Sequence, residues 1–363
     1  MITAERRLFA SLVVVLCLMG SLIVGVASAE EFCVSTTEQL AGALDMAAVN
    51  SEDDVIRVVR GTYLTPDTPP TPFTYFGPQE DYGLELLGGW DAACASRILD
   101  PTNTILDGRN SIQVIDITPA STSYGDLLFQ GFTVQNGYNP SFWAGGLSIG
   151  RTSGFSGSVT VEFNIFAGNQ GDGGAGGLFG GSDNGLTRIE NNLIVGNTST
   201  GGWGGAQITS NGPEFFITNN TIADNSGQVD GGLTISGSAP IWITNNIFWG
   251  NTGWDLNLGT TTPVVLHNNY GTLLGSPGTG SVNNISLDPD FADIDDYHLK
   301  TSSPSVNLGY NFPAGGLPVQ DLEGEPRIQG TVVDMGAYEG PVLFKDDFED
   351  GDTSDWSATV PGG

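Results

Sequence analysis

The sequence predicts an all-β chain wound as a right-handed parallel β-helix, with an N-terminal capping helix and a C-terminal cap. Three observations carry that prediction. The first is a repeated phrase: Val161-Glu-Phe-Asn-Ile-Phe-Ala-Gly-Asn169, Ile189-Glu-Asn-Asn-Leu-Ile-Val-Gly-Asn197, Ile217-Thr-Asn-Asn-Thr-Ile-Ala-Asp-Asn225 and Ile243-Thr-Asn-Asn-Ile-Phe-Trp-Gly-Asn251, its last Asn recurring every 28, 28 and 26 residues. A fixed period of this size means stacked supersecondary units. The second is period-two alternation, as in Val159, Val161, Phe163 and Ile165, which makes these units strands with one buried face. The third is a companion phrase, Ala144-Gly-Gly-Leu, Ala175-Gly-Gly-Leu, Trp203-Gly-Gly-Ala and Asp230-Gly-Gly-Leu. Each unit therefore holds at least two strands joined by Gly- and Asn-rich corners, where left-handed backbone is cheap.

Stacking puts like on like. Ile189, Ile217, Ile243 and Leu266 form one predicted column, and Asn191, Asn219, Asn245 and Asn268 a predicted structural Asn ladder. The sequence leaves open which Asn of each pair faces inward. Six or seven coils at ~4.8 Å give a rod of roughly 30 Å.

In chain order, residues 1–29 read as a signal peptide: Arg6 and Arg7, an apolar run from Leu8 to Val26, and the small-residue site Ala27-Ser28-Ala29. An uncleaved anchor helix is the alternative reading of the same run. Residues 30–103 are the N-terminal cap and first coils. Their best helix is 36–48, with Leu40, Ala43, Leu44 and Ala47 on one face, and it answers the need to cover an open β-helix end. Residues 55–59 form a strand, Gly61 to Tyr63 a turn, 65–78 a Pro- and Thr-rich surface loop, and 84–87 a strand again. Residues 104–280 are the repeats, 281–340 the C-terminal cap, and 341–363 an acidic flexible tail.

Charge and cysteine content place the chain outside the cell. The net charge is −30, and removing residues 1–29 makes it more negative still, which excludes nucleic acid and anionic membrane surfaces as partners. Cys33 and Cys94 remain after signal cleavage, an even number outside the repeats, and are expected to form one disulfide. Nothing beyond residue 29 is apolar enough to span a membrane.

The paired phrases resemble the repeats of polymorphic outer-membrane-protein β-helices, best at Gly204-Gly-Ala-Gln-Ile208, Phe166-Ala-Gly-Asn169 and Phe248-Trp-Gly-Asn251. Asp288-Pro-Asp-Phe291, Ser303-Pro-Ser305 and Asp334-Met-Gly-Ala-Tyr-Glu339 resemble the closing segment of bacterial exported choice-of-anchor Q proteins. The resemblance implies a pectate-lyase-like solenoid on a secreted or cell-surface bacterial protein, and no particular reaction.

Chemistry on such a scaffold would act on polysaccharide. A β-eliminating lyase needs a strong base and carboxylate-held Ca²⁺. The chain offers Arg109, Arg151 and Arg188 in the coils, Lys300 and Lys345 near the end, and Asp172, Asp183 and Glu190 as its densest coil acids. The Asn-Thr-Asp, Asp-Asp, His-Gly and Arg-x-Lys series of polygalacturonases is absent in that order: Asp53-Asp54 lies near the cap helix, and neither His267 nor His298 precedes Gly. Asp288, Asp290 and Asp293, or the tail acids from Asp346, are the candidate Ca²⁺ ligands, although no cofactor is required. Trp143, Trp203, Trp249 and Trp254 are the candidate ligand-binding residues, able to stack on sugar rings from one flank. The expected function is a non-catalytic adhesion or glycan-binding scaffold, acting on an extracellular polysaccharide or a host or cell-surface glycan. A polysaccharide lyase or glycoside hydrolase is the alternative. A cleft rimmed by carboxylates and Arg109, Arg151 or Arg188 favours the enzyme, and a flat flank of exposed aromatics favours binding.

Overall fold

Three parallel sheets, each built from one strand per coil, enclose a single apolar core. They are seen in a computed structural model that describes residues 30–77 and 81–340. The signal segment 1–29 and the tail 341–363 lie outside the described residues. The first sheet has nine strands, from Glu30–Val34 through Asp54–Val59, Leu84–Trp90, Leu127–Gln130, Val159–Glu162, Thr187–Glu190, Phe215–Thr218 and Ile241–Thr244 to Val264–Leu266. The second runs from Gly61–Leu64 to Asn269–Tyr270 and the third from Phe73–Gly77 to Leu273–Leu274, with eight strands each. The chain is thus a right-handed parallel β-helix of about eight turns.

The extra turns come from segments that carry no repeat phrase. Gly61–Leu64 is a strand rather than a turn, and the Pro-rich stretch read as a loop contains Phe73–Gly77, with Phe73 and Tyr75 buried on alternate positions. Prolines flank that strand without interrupting its ladder, so the alternation prevails.

Register corrects two predicted columns. Ile189, Ile217 and Ile243 do stack, but the next residue in the column is Val265, not Leu266. The interior amide ladder is Asn164, Asn192, Asn220, Asn246, Asn268 and Asn284. In each coil the backbone N–H and Nδ2 both donate to Oδ1 of the Asn one coil on, as from Asn220 to Asn246 at 2.8 and 2.9 Å. Of the four residues expected there only Asn268 belongs. Asn191, Asn219 and Asn245 occupy the preceding corner position at φ 55°, 54° and 62°, and His267 takes it in the last coil at φ 52°. At this corner one residue per coil takes the left-handed conformation, and the Asn that follows it points inward. A second ladder runs through Asn169, Asn197, Asn225 and Asn251, ending on Asp255.

The two ends differ. Helix Thr37–Ala47 is N-capped by Thr36, whose hydroxyl accepts from the Gln39 N–H, and it buries Leu40, Ala43, Leu44 and Ala47. Cys33 and Cys94 are disulfide-bonded and tie the first strand to the loop after the third. At the other end Val282 and Ile285 bridge to Leu266 and Asn269, and Asn284 terminates the ladder. From there the chain forms an antiparallel pair, Phe291–Asp293 with Asp296–Leu299, and turns back along the rod. Leu322, Ala337 and Tyr338 then cover Leu193, Val195 and Ala223 on the outside of the second sheet. The segment expected to close the end therefore also covers a flank. The corner asparagines hold it there: Asn191 Nδ2 donates to the Gln320 carbonyl, Asn219 Nδ2 to that of Asp334, and Asn245 Nδ2 to that of Tyr310.

The disulfide spans 61 residues of sequence. By loop-closure entropy it contributes about 4 kcal/mol. We expect the Cys33→Ser/Cys94→Ser double variant to lose that amount in urea unfolding, and dithiothreitol to have the same effect on the wild type and none on the variant.

Candidate functional groove

Burial on the first sheet alternates, so every second side chain points out. In-register stacking sorts these side chains into two rows along the rod. One row reads Glu85, Leu128, Thr160, Arg188, Phe216 and Trp242. The other reads Leu87, Gln130, Glu162, Glu190, Thr218 and Thr244. One wall is formed by the corners entering the sheet, where Asp53, Asp81 and Asp126 accept from the backbone N–H groups of Gly83, Tyr124 and Ser158. The opposite wall is Arg97 at one end and the returning C-terminal segment at the other. There Arg188 Nη1 donates to the Gly315 carbonyl at 2.9 Å, and Asn245 receives Tyr310. The wider part of the groove has a volume of about 830 Å³ and is lined by Asp53, Asp81, Glu85, Asp126, Glu162 and Arg188, among others.

Two features distinguish this floor. Phe216 and Trp242 stack at 5.3 Å between centroids and 24° between planes, with the Arg188 guanidinium 4.8 Å over Phe216. Phe216 is buried, whereas Trp242 is half-buried. Beside them Glu162 and Glu190 stack directly across adjacent coils. Gln130 Nε2 donates to Glu162, and Arg97 donates to Gln130 Oε1 and, at 3.2 Å, to its carbonyl. Arg188 Nη1 donates to Glu190 at 3.0 Å.

The result is a polar row running Arg97, Gln130, Glu162, Glu190, closed by Arg188. Burial pushes the Glu162 carboxyl up, opposed by Gln130, Arg188 and Arg97. Burial pushes Glu190 up to about 7, with Arg188 opposing and the Glu162 charge adding to the rise. Burial pulls Arg97 down to about 10 against the attraction of Glu162 and Glu85. At neutral pH the pair can therefore hold one proton between two oxygen-rich groups on an otherwise ionised face.

The acids named from sequence do not converge. Asp172 accepts from Tyr138 Oη at 2.7 Å on a corner, and Asp183 from Gly154 N and Asn211 Nδ2 at 2.7 Å each. Only Glu190 is on the groove face. Of the arginines, Arg109 pairs with Asp67 at 2.5 Å and Arg151 with Asp116 at 2.6 Å, both away from the groove, while Arg188 is in it.

The four tryptophans do not share one flank. Trp143, half-buried, carries the Arg151 guanidinium 3.8 Å over its ring and meets Phe179 edge-on at 5.4 Å. Trp203 and Trp254 lie at corners leading into the third sheet, Trp254 being 37% exposed. Trp249 points out from the second sheet and packs beside Met335 under the C-terminal segment. Trp242 was missed because a single large residue on an even position reads as ordinary strand. The signal was its parity, the same as that of Phe216 and Arg188 one and two coils earlier.

Asp288 and Asp293 accept from the Asp290 and Ile294 N–H groups, and Asp290 pairs with Lys300 at 3.0 Å. Among the described residues no three His, Cys, Asp or Glu side chains converge on a metal-sized point. His267 Nδ1 contacts the Leu308 carbonyl, and His298 lies between Asp296 and Glu323 against Tyr338. Both histidines serve the C-terminal segment. No helix among the described residues is long and apolar enough to cross a membrane.

No family model, no curated protein and no solved structure matches the chain.

Proposed function

We propose that this is an exported bacterial protein, secreted or held at the cell surface, that binds an extended neutral polysaccharide along the groove of its first sheet. The observation that carries the reading is the walled groove that crosses successive coils of the first sheet, with the Phe216–Trp242 stack continuing the same outward row beyond Arg188. A polymer repeats along its length as a β-helix does, so a chain laid along the groove meets a new pair of outward side chains at each coil. Trp242 supplies a ring for the apolar face of a sugar, and the carboxylates accept from its hydroxyls. Asp53, Asp81, Glu85, Asp126 and Glu162 outnumber the two groove arginines, Arg97 and Arg188, so a polyuronate would be repelled. The disulfide, the leader-like residues 1–29 and the resemblance of residues 288–339 to choice-of-anchor Q proteins support export.

Retention of the purified protein on immobilised neutral and acidic polysaccharides tests this. Neutral chains are expected to retain it, and Trp242→Ala to weaken retention about tenfold, the equivalent of ~1.4 kcal/mol. Trp254→Ala should leave retention unchanged. Preferential retention on polyuronates, or indifference to Trp242→Ala, would remove the reading.

A further inference from the structure

Taking the groove as a polysaccharide site, we infer that it also cuts its ligand, as a retaining glycoside hydrolase with Glu162 as nucleophile and Glu190 as general acid and base. The assignment comes from placement. The two residues are in register on neighbouring strands, Glu162 opposite Glu190, so their backbones lie about 4.8 Å apart along the rod and their outward side chains run side by side. Carboxyl groups about 5–5.5 Å apart belong to the double-displacement mechanism, whereas separations beyond ~6.5 Å leave room for an intervening water.

Their surroundings differ in the way the two roles require. Glu162 lines the open groove and accepts from Gln130; burial raises its carboxyl, and Gln130 with the charges of Arg188 and Arg97 on either side opposes that rise. Glu190 is only 6% exposed, beneath the bend where Arg188 reaches Gly315, and this desolvation favours the protonated form. The Phe216–Trp242 stack begins one coil beyond Glu190, which places a sugar platform beside the reacting pair.

The chemistry balances without a co-reactant other than water. An Oε of Glu162 forms a bond to the anomeric carbon as the glycosidic C–O bond breaks, and the departing oxygen takes the Glu190 proton. Glu190, now a carboxylate, then removes a proton from water. The water oxygen bonds to the anomeric carbon, the glycosyl ester breaks, and Glu162 returns as carboxylate with Glu190 reprotonated. The sugar leaves with its original anomeric configuration.

Glu162→Gln and Glu190→Gln are expected to fold, because Gln130 already places an amide in the same row one coil earlier. The neutral polysaccharides of the retention panel serve as substrates, followed by the release of new reducing ends. Wild type is expected to release them, and each Gln variant to lose about a thousandfold in rate while still being retained. Two readouts exclude a merely structural role. Glu162→Ala with sodium azide should yield the glycosyl azide of inverted configuration. The 2,4-dinitrophenyl 2-deoxy-2-fluoro glycosides of glucose, galactose, mannose and xylose should include one that labels Glu162 in the wild type. Retention without new ends, or turnover that survives both Gln substitutions, overturns the hydrolase assignment and leaves the binding reading intact. Neither retention nor product overturns both.

Discussion

Asn220→Ala is expected to cost about 3–5 kcal/mol, as much as the truncation of a large apolar residue of the core. The Asn220 amide donates to the Ile189 carbonyl at 2.7 Å, to the Thr218 carbonyl at 3.2 Å and to Asn246 Oδ1 at 2.9 Å. Its own oxygen accepts from Asn192 N and Nδ2, both at 3.0 Å. Every one of these groups is buried away from water. Truncation leaves the Asn192 backbone N–H without its acceptor, at about 1–3 kcal/mol, and takes one donor each from the Ile189 carbonyl and from the Thr218 carbonyl, which keeps the Asn191 N–H. A cavity adds to that loss. The variant Asn219→Gly is the control: Asn219 sits one residue earlier at φ 54°, where glycine is at ease, and it gives up mainly its bonds to Asp334 and Gly336 on the docked segment. Urea unfolding should separate the two by several kcal/mol. Similar losses would show that the ladder is ornamental and that the corner dominates.

The same pair of residues shows how far the sequence could be read. The repeat phrase and its alternation identify stacked strands because a β-helix writes each coil in the same register. The cap helix is equally legible, since Thr36 and the spacing of Leu40, Ala43, Leu44 and Ala47 are local signals. Deciding which Asn of a pair turns outward is a different problem. It depends on which residue takes the left-handed turn, and two adjacent asparagines tolerate that turn equally. His267-Asn268-Asn269 then shifts the last coil by one residue relative to a motif alignment, although the ladder itself does not slip. The groove was still less visible. Glu162 and Glu190 are 28 positions apart, and only coil register makes them neighbours. Trp242 and Phe216 are likewise brought together by stacking, while the more conspicuous corner tryptophans, Trp143, Trp203 and Trp254, lie away from this groove at the corner before the third sheet. Gly315 and Tyr310, which form a wall of the groove, come from a segment whose path along the rod no local pattern encodes.

The protein is expected to be most stable near pH 5 and to weaken as pH rises to 8, although most secreted acidic proteins would be assumed tolerant across that range. Burial pushes Glu339 up to about 8, against the attraction of Arg327, which lies 3.3 Å away in the docked C-terminal segment. Glu190 is pushed up to about 7 in the groove. In both, the folded value lies above the unfolded one, so the folded state binds more protons between them. Their contribution is complete below about 4.5 and is lost as pH rises through about 7 and about 8. With side chains 9% and 3% exposed, the two together are worth on the order of several kcal/mol. His298 acts with the same sign: burial lowers its value, but the bond to Asp296 and the charge of Glu323 prevail and raise it, so its pairing is also lost with rising pH. The acid side is set by carboxylates of the opposite kind. Asp91 is held down to about 2 by the Ser96 hydroxyl and backbone N–H groups, and Asp183 and Asp296 are also lowered, so their contributions disappear only as pH falls below the ordinary carboxylate range. A thermal melt series from pH 4 to 9 should therefore peak near 5 and fall by about 10 °C toward 8.5. Glu190→Gln and Glu339→Gln should each flatten the alkaline limb, because neither amide ionises. A Tm that climbs steadily from pH 5 to 8 would mean that both glutamates are ionised and compensated in the folded protein, and the proton assigned to the Glu162–Glu190 pair would have to be abandoned with it.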